Sequence, residues 1–78
     1  MTSKIDNVNK KIGLKIKLER IKRNWTQEKL AELANLSKNS IGSIERGQSS
    51  PSIETLAGIA EAFGILLNDL TDISKVEL

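Results

Sequence analysis

The residues best suited to chemistry follow Ser37 in a short polar run. This run reads KNSIGSIERG over residues 38–47 and contains no acid before Glu45. An Asn side chain can bind adenine through two hydrogen bonds, and a Ser hydroxyl can pair with several bases. Phosphates flank the major groove, so an acid there is unfavourable unless it binds cytosine. The run therefore predicts a helix that enters the major groove of DNA, with Lys38, Asn39 and Ser43 facing outward.

Lys38 would lie where a helix disfavours positive charge. The first turn of a helix carries partial positive charge, and a cation there costs about 0.3–1 kcal/mol. The neighbouring helices would instead carry Glu28 and Glu54 in their first turns. A lysine in this place indicates a negatively charged partner, although a solvated surface lysine is the simpler alternative.

Gly42 interrupts the same run and costs about 0.5–1 kcal/mol relative to Ala inside a helix. Two explanations stay open. The missing side chain can allow close approach to a DNA backbone or a thymine methyl group, or the glycine is a tolerated defect.

Two further residues are candidates for phosphate contacts. Gln27 would occupy the first position of the preceding helix, where free backbone N–H groups attract anions. Arg46 precedes Gly47, which would end the polar helix. Arg20 and Glu45 can form an ion pair at the edge of the core, which would orient the helix more than it stabilises the fold.

Helices over about 27–34, 38–45 and 53–63 follow from three hydroxyl caps and the breaks between them. Thr26, Ser37 and Ser52 can each accept a hydrogen bond from a free backbone N–H group. Only three residues separate the first two of these helices, a spacing typical of a helix-turn-helix corner. In that corner Asn35 would adopt the left-handed conformation that usually favours glycine.

The outer parts of the chain complete an all-α fold of five helices. A helix over Lys10–Arg23 carries two apolar stripes, one with Ile12 and Ile16 and one with Leu14, Leu18 and Ile21. The pattern leaves open which of them faces the core. A short fifth helix is predicted around Leu67–Leu70. We expect a flexible arm over residues 1–9, a domain over 10–73 and a tail over 74–78.

Composition excludes most catalytic chemistry. The 78 residues contain no Cys and no His, so thiol nucleophiles, imidazole bases and the common zinc sites are absent. Neither a membrane span nor a signal peptide is evident, which makes the cytoplasm the default location. Residues 1–50 contain eleven Lys and Arg and five Asp and Glu, whereas residues 51–78 contain one basic and five acidic residues. We expect a polyanion as partner, and no cofactor, metal or small-molecule ligand.

The sequence resembles the Cro/phage-repressor helix-turn-helix family, also called XRE-like. The matching runs are WTQEKLAELANLSKNSIGSIERG and PSIETLAGIAEAFGI, within about residues 12–70. The resemblance implies a lambda-repressor-like five-helix domain that binds double-stranded DNA as a homodimer on a palindromic operator. It assigns base contacts to Lys38, Asn39 and Ser43, phosphate contacts to Gln27, Ser37, Ser40 and Arg46, and a structural ion pair to Arg20 and Glu45.

The sequence departs from the family at the fifth helix, where Leu66 replaces the usual Ser cap. Leu66, Leu67, Leu70 and Ile73 form an apolar string that exceeds what one small core needs. Surplus apolar surface often marks an oligomer interface. We therefore expect the dimer interface at these four residues.

Four functions compete at this point. A transcriptional regulator, as repressor or activator, agrees best with the acid-free polar helix. Restriction–modification controller proteins, compact phage repressors and many antitoxins share the pattern, so an antitoxin that binds DNA and a toxin is the alternative. A protein-interaction module without DNA binding is disfavoured by the basic amino-terminal half. An enzyme is the weakest option because no catalytic constellation is present.

Overall fold

Five α-helices follow one another in the computed structural model, which describes residues 4–78. They are α1 (Lys4–Lys22), α2 (Gln27–Ala34), α3 (Lys38–Glu45), α4 (Ile53–Phe63) and α5 (Leu67–Thr71). The described residues contain no strand, so the predicted all-α class is confirmed. None of the helices in this part of the chain has both the length and the hydropathy needed to cross a membrane.

Hydroxyl caps begin three of the helices, as predicted. The side chains of Thr26, Ser37 and Ser52 accept hydrogen bonds from backbone N–H groups three residues later. Each such cap contributes about 1 kcal/mol to the stability of its helix. Leu66 stands at the same place before α5 and provides no side-chain cap. The fifth helix therefore depends on packing more than the others do.

The corner between α2 and α3 has the predicted geometry. Asn35 adopts a left-handed conformation with φ of 56°, and its N–H group bonds to the carbonyls of Ala31 and Glu32. The backbone N–H of Leu36 also bonds to the Ala31 carbonyl, at 2.8 Å. These bonds satisfy carbonyls at the end of α2 and turn the chain sharply into α3.

The core settles which stripe of α1 is buried. Side chains from all five helices are fully buried, namely Ile16, Leu30, Ile41, Ile59 and Leu70. Ile12 packs against this cluster, so the Ile12 and Ile16 stripe faces inward. Leu18 and Ile21 of the other stripe stay half exposed, at 51% and 49%.

Two predictions need correction here. Helix α1 begins at Lys4 rather than Lys10, so residues 4–9 of the predicted arm are helical, while residues 1–3 lie outside the described part. The cause is cooperativity: extending an existing helix costs little even for Asn and Asp, because ordinary propensities differ by at most about 0.7 kcal/mol. Leu70, predicted at a dimer interface, is fully buried in the core. Its apolar neighbours within the monomer already cover it.

An ion cluster on Glu19 stabilises the carboxyl-terminal half of α1. Arg23 contacts the Glu19 carboxylate at 2.8 Å, and Lys15 and Lys22 each approach it to 3.4 Å. Burial raises the pKa of Glu19, but the hydrogen bond from Arg23 and the charges of Lys22 and Lys15 outweigh it. The pKa of Glu19 therefore lies below its ordinary value of 4.5.

Arg23 also joins the turn before α2 to the end of α4. Its guanidinium lies 4.7 Å from the ring centre of Phe63 and donates a hydrogen bond to the Phe63 carbonyl at 3.1 Å. Trp25 packs against the core and stacks on Phe63 with ring centres 5.6 Å apart. Aromatic and cation–π contacts of this kind stabilise the fold beyond simple burial.

Candidate nucleic-acid interface

Helix α3 is held at its carboxyl end by a buried ion pair. Arg20 donates two hydrogen bonds to the Glu45 carboxylate, from Nε at 2.7 Å and from Nη2 at 3.0 Å. Its Nη1 donates to the carbonyl of Trp25 at 2.7 Å. The Glu45 hydrogen bond raises the pKa of Arg20, burial opposes that rise, and the Glu45 charge adds to it. The predicted pair thus links α1, the turn before α2 and α3.

Gln27 belongs to the same network. Its Nε2 donates a hydrogen bond to Oε1 of Glu45 at 3.1 Å. The first residue of α2 is therefore tied to the last residue of α3. This bond uses one N–H of the Gln27 side-chain amide. The second amide N–H remains for an anion, and so do the free backbone N–H groups at the start of α2.

Gly13 brings the backbones of α1 and α3 into direct contact. A Cβ atom added at Gly13 would overlap the Ile44 carbonyl oxygen and lie 2.8 Å from that of Glu45. Only glycine fits this position without moving a helix. Gly13 was not predicted as a functional residue, yet a single Gly within a helical pattern is the sequence signal of such a close approach.

The opposite side of α3 presents the polar residues to solvent. Ile41 and Ile44 are buried and anchor the helix. Lys38, Asn39 and Arg46 are exposed and Ser43 is half-buried. The anchors thus turn the predicted base-contacting side chains outward together on one surface.

Lys38 has a partner that the sequence pattern did not suggest. Its Nζ lies 3.5 Å from Oε1 of Glu28 in α2, with both side chains largely exposed. An exposed pair of this kind contributes about 0–1 kcal/mol. The charge of Lys38 at the start of α3 is therefore partly balanced within the protein, which weakens the inference that it requires an external anion. Glu28 also brings an acid to the edge of the otherwise acid-free surface.

Arg46 covers Gly42 instead of extending away from the helix. A Cβ at Gly42 would lie 2.9 Å from Nη1 of Arg46, and the Nε of Arg46 donates to Gln48 at 2.9 Å. Gly42 is buried beneath this guanidinium. The atoms that a side chain at position 42 would meet first therefore belong to Arg46 of the same chain.

Ser37 and Ser40 share a hydrogen-bonded corner. The Ser37 hydroxyl accepts from the Ser40 backbone N–H at 3.0 Å and donates to the Ser40 hydroxyl at 2.9 Å. The Ser40 hydroxyl hydrogen is therefore free for an external acceptor, whereas that of Ser37 is engaged. Both residues are exposed at the start of α3.

A serine-rich cleft lies between α3 and the start of α4. Ser40 and Ser43 line one side, and the segment from Ser49 to Ser52 lines the other. The Ser49 hydroxyl oxygen is buried and has no hydrogen-bond partner within residues 4–78. The described part of the chain holds no cluster of His, Cys, Asp and Glu that could bind a metal ion.

Comparison with protein families gives one match to this architecture. The helix-turn-helix family HTH_3 matches residues 16–70, which is more than half of the chain. The matched range includes α2, α3 and α4 completely. The corner at Asn35 and the polar surface of α3 therefore lie within the family region.

Two relatives show the same resemblance at different lengths. The immunity repressor protein of Bacillus phage phi105 is 46% identical over 54 residues, which are 69% of this chain and 38% of the phage protein. The control protein C.BamHI of Bacillus amyloliquefaciens is 33% identical over 72 residues, which are 91% of this chain and 89% of the control protein. The chain thus spans little more than a third of the phage protein and most of the control protein.

A solved structure supports the same resemblance as these two relatives. The restriction-modification controller protein C.AhdI from Aeromonas hydrophila superposes with a TM-score of 0.78 at 31% identity, over 80% of this chain and 94% of that protein. The predicted helix-turn-helix fold is confirmed by this match. The relatives are named as regulators, which also confirms the prediction that the chain is not an enzyme.

Proposed function

Because this chain belongs to the helix-turn-helix family of repressor- and controller-type transcriptional regulators, we propose that it controls transcription by binding a palindromic operator as a homodimer. The proposal places α3 in the major groove of duplex DNA in the cytoplasm. One observation carries it: the polar surface of α3 faces solvent while Ile41, Ile44 and Glu45 fasten the helix to the domain. A reading surface must be presented rigidly if it is to discriminate bases.

In this proposal the exposed side chains divide into two groups. Lys38, Asn39 and Ser43 contact base edges, because an amide can pair with adenine and a lysine with guanine. Phosphate contacts come from residues at the ends of α2 and α3, where backbone N–H groups or cations are available. These are Gln27, Ser37, Ser40 and Arg46.

Selection of bound duplexes from random DNA tests the proposal directly. A two-fold symmetric motif with half-sites about 34 Å apart is the expected result. The absence of any enriched motif in low salt would refute sequence-specific binding.

Asn39→Ala tests base recognition on the selected site. We expect the preference for this site over a scrambled duplex to fall by about 1–3 kcal/mol. Asn68→Ala is the matched control, because Asn68 is an exposed asparagine of α5 outside the proposed surface. If Asn39→Ala weakens both duplexes equally, Asn39 does not read a base.

Arg46→Ala tests the proposed contacts to DNA phosphates. Loss of one phosphate contact weakens binding to all sequences and reduces the slope of log affinity against log salt by about 0.9. Salt titration with the selected and the scrambled duplex measures both effects. A loss confined to the selected duplex would instead make Arg46 a base-contacting residue.

The proposed dimer interface now rests on three apolar residues of the carboxyl-terminal segment. Leu66 is 66% exposed, while Leu67 and Ile73 are half-buried. Leu66→Ser would remove apolar surface and add a hydroxyl cap to α5, so the helix should persist. Sedimentation should show this variant shifted towards monomer, whereas the control Leu33→Ser, at an exposed leucine of α2, should match the parent. A monomeric parent with and without operator DNA would refute the dimer.

A further inference from the structure

One face of α1 carries two lysines beside α3. At 3.6 residues per turn, positions 10, 13, 17 and 20 lie within roughly 80° of the helix circumference. Gly13 and Arg20 of this stripe contact α3, through the backbone of Ile44 and through the Glu45 carboxylate. Lys10 and Lys17 are both exposed. They lie on the side of the stripe away from the buried Ile16.

Lys10 is next to the end of α3 as well. A Cβ at Gly47 would lie 2.8 Å from the Cα atom of Lys10, so α1 passes directly beside the residue that follows Arg46. Lys17 lies two turns further along the same face, one turn before Arg20. Lys10 therefore borders α3 at its carboxyl end, and Lys17 lies on the same face of α1.

The side of α3 that adjoins this stripe is basic. From Glu45, moving around the helix away from the core, the next positions within roughly 100° are Lys38, Gly42 and Arg46. The guanidinium of Arg46 lies over Gly42 on this side. The solvent-facing edges of α1 and α3 are thus adjacent. The α1 edge carries Lys10 and Lys17, and the α3 edge carries Arg46 and also Lys38, which pairs with Glu28.

Two other lysines of α1 provide a contrast. Lys15 and Lys22 both pair with Glu19. The groove between Lys22 and Lys75 also contains acids, namely Asp72 and Glu77. Among the side chains that the structure describes, residues 4 and 7–78, no acid forms an ion pair with Lys10 or Lys17. The charges of Lys15 and Lys22 are therefore balanced by Glu19, whereas those of Lys10 and Lys17 are available to a phosphate.

We propose that Lys10 and Lys17 form a second phosphate-binding strip, which contacts the DNA backbone beside the groove that α3 enters. This inference rests on the proposed DNA-binding function and adds a partner surface outside α2 and α3. A lysine is a point charge suited to phosphate and carries no sequence information there. The strip would therefore raise affinity for every duplex and leave base preference unchanged.

Salt titration of the full chain with a selected and a scrambled duplex tests the strip. Lys10→Gln with Lys17→Gln should reduce the slope of log affinity against log salt by about 1.8, or roughly 0.9 for each lysine alone. This corresponds to about 60-fold weaker binding at 0.1 M salt for the double variant. The ratio of affinities for the two duplexes should not change. Lys22→Gln with Lys75→Gln is the matched control, because it removes the same charge from the groove on the opposite face of α1.

The outcomes separate the strip from the underlying function. A parent protein that binds no duplex would refute DNA binding and the strip together. If the parent binds DNA and the Lys10 and Lys17 double variant keeps the same slope of log affinity against log salt, the strip alone is refuted. Equal losses in the two double variants would also refute it, since they would indicate a general effect of net charge. The strip is supported if the loss is confined to the Lys10 and Lys17 variant.

Discussion

Replacement of Gly13 by alanine should separate α1 from α3 and destabilise the domain. The added methyl carbon would lie 2.8 Å from the Glu45 carbonyl oxygen and closer still to that of Ile44, whereas ordinary contact begins at 3.4 Å. Both obstacles are backbone atoms of a helix that the Arg20–Glu45 pair holds in place. A rotation of one side chain therefore cannot relieve the overlap, and a helix must move.

The magnitude follows from two opposing effects. Overpacking of this kind costs about 1–3 kcal/mol. Alanine in place of glycine stabilises a helix interior by about 0.5–1 kcal/mol. Because the obstacle is rigid, we expect the upper part of the cost, so the net loss for Gly13→Ala is about 1–2 kcal/mol. In a domain of this length, that loss lowers the melting temperature by roughly 4–16 °C.

Gly58→Ala is the matched control. Gly58 is also inside a helix, but its added Cβ would meet only the Ala34 carbonyl oxygen, at an ordinary 3.7 Å. This variant should gain about 0.5–1 kcal/mol from helix propensity. Thermal unfolding followed by circular dichroism measures both variants against the parent. If Gly13→Ala melts at or above the temperature of the parent, the close contact between α1 and α3 does not exist as described.

Three further changes test individual side chains. Gly42→Ala should stabilise α3 by about 0.5–1 kcal/mol, because only the flexible Arg46 must move. It should also weaken operator binding, because Arg46 is displaced and is a proposed phosphate contact. A loss of thermal stability would contradict this. Glu28→Gln should release Lys38 and raise affinity for scrambled duplex up to about fivefold in low salt, and unchanged or weaker binding would argue against the pair. Glu19→Gln should be less stable than the parent at neutral pH. Because the pKa of Glu19 is lowered by folding, its stabilisation is present above pH 4.5 and is lost as the pH falls through the folded pKa. The stability of the variant should thus decline less steeply in acid. Denaturant titrations of parent and variant over a series of pH values measure this. Parallel declines in the two proteins would refute the role of Glu19.

Caps, corners and helix limits could be predicted because they depend on residues a few positions apart. The hydroxyl of Ser37 meets the backbone N–H of Ser40 within one turn, and the left-handed conformation of Asn35 closes bonds to the preceding turn. The limits of α2, α3 and α4 follow from such local bonds, and so does the outward orientation of the α3 polar residues relative to Ile41 and Ile44. The Arg20–Glu45 pair was predictable for a different reason, since residue type and family resemblance pointed to it.

Tertiary packing decided what local patterns could not. Both apolar stripes of α1 are equally plausible as a sequence pattern, and only the positions of the other helices bury Ile16 and expose Leu18. The burial of Leu70 was likewise not predictable from the sequence, because burial depends on which distant side chains cover a residue. The approach of Glu28 to Lys38 likewise requires the angle between α2 and α3. Sequence alone thus determined the helices and their polar surface, and packing determined which apolar and charged groups remain available to a partner.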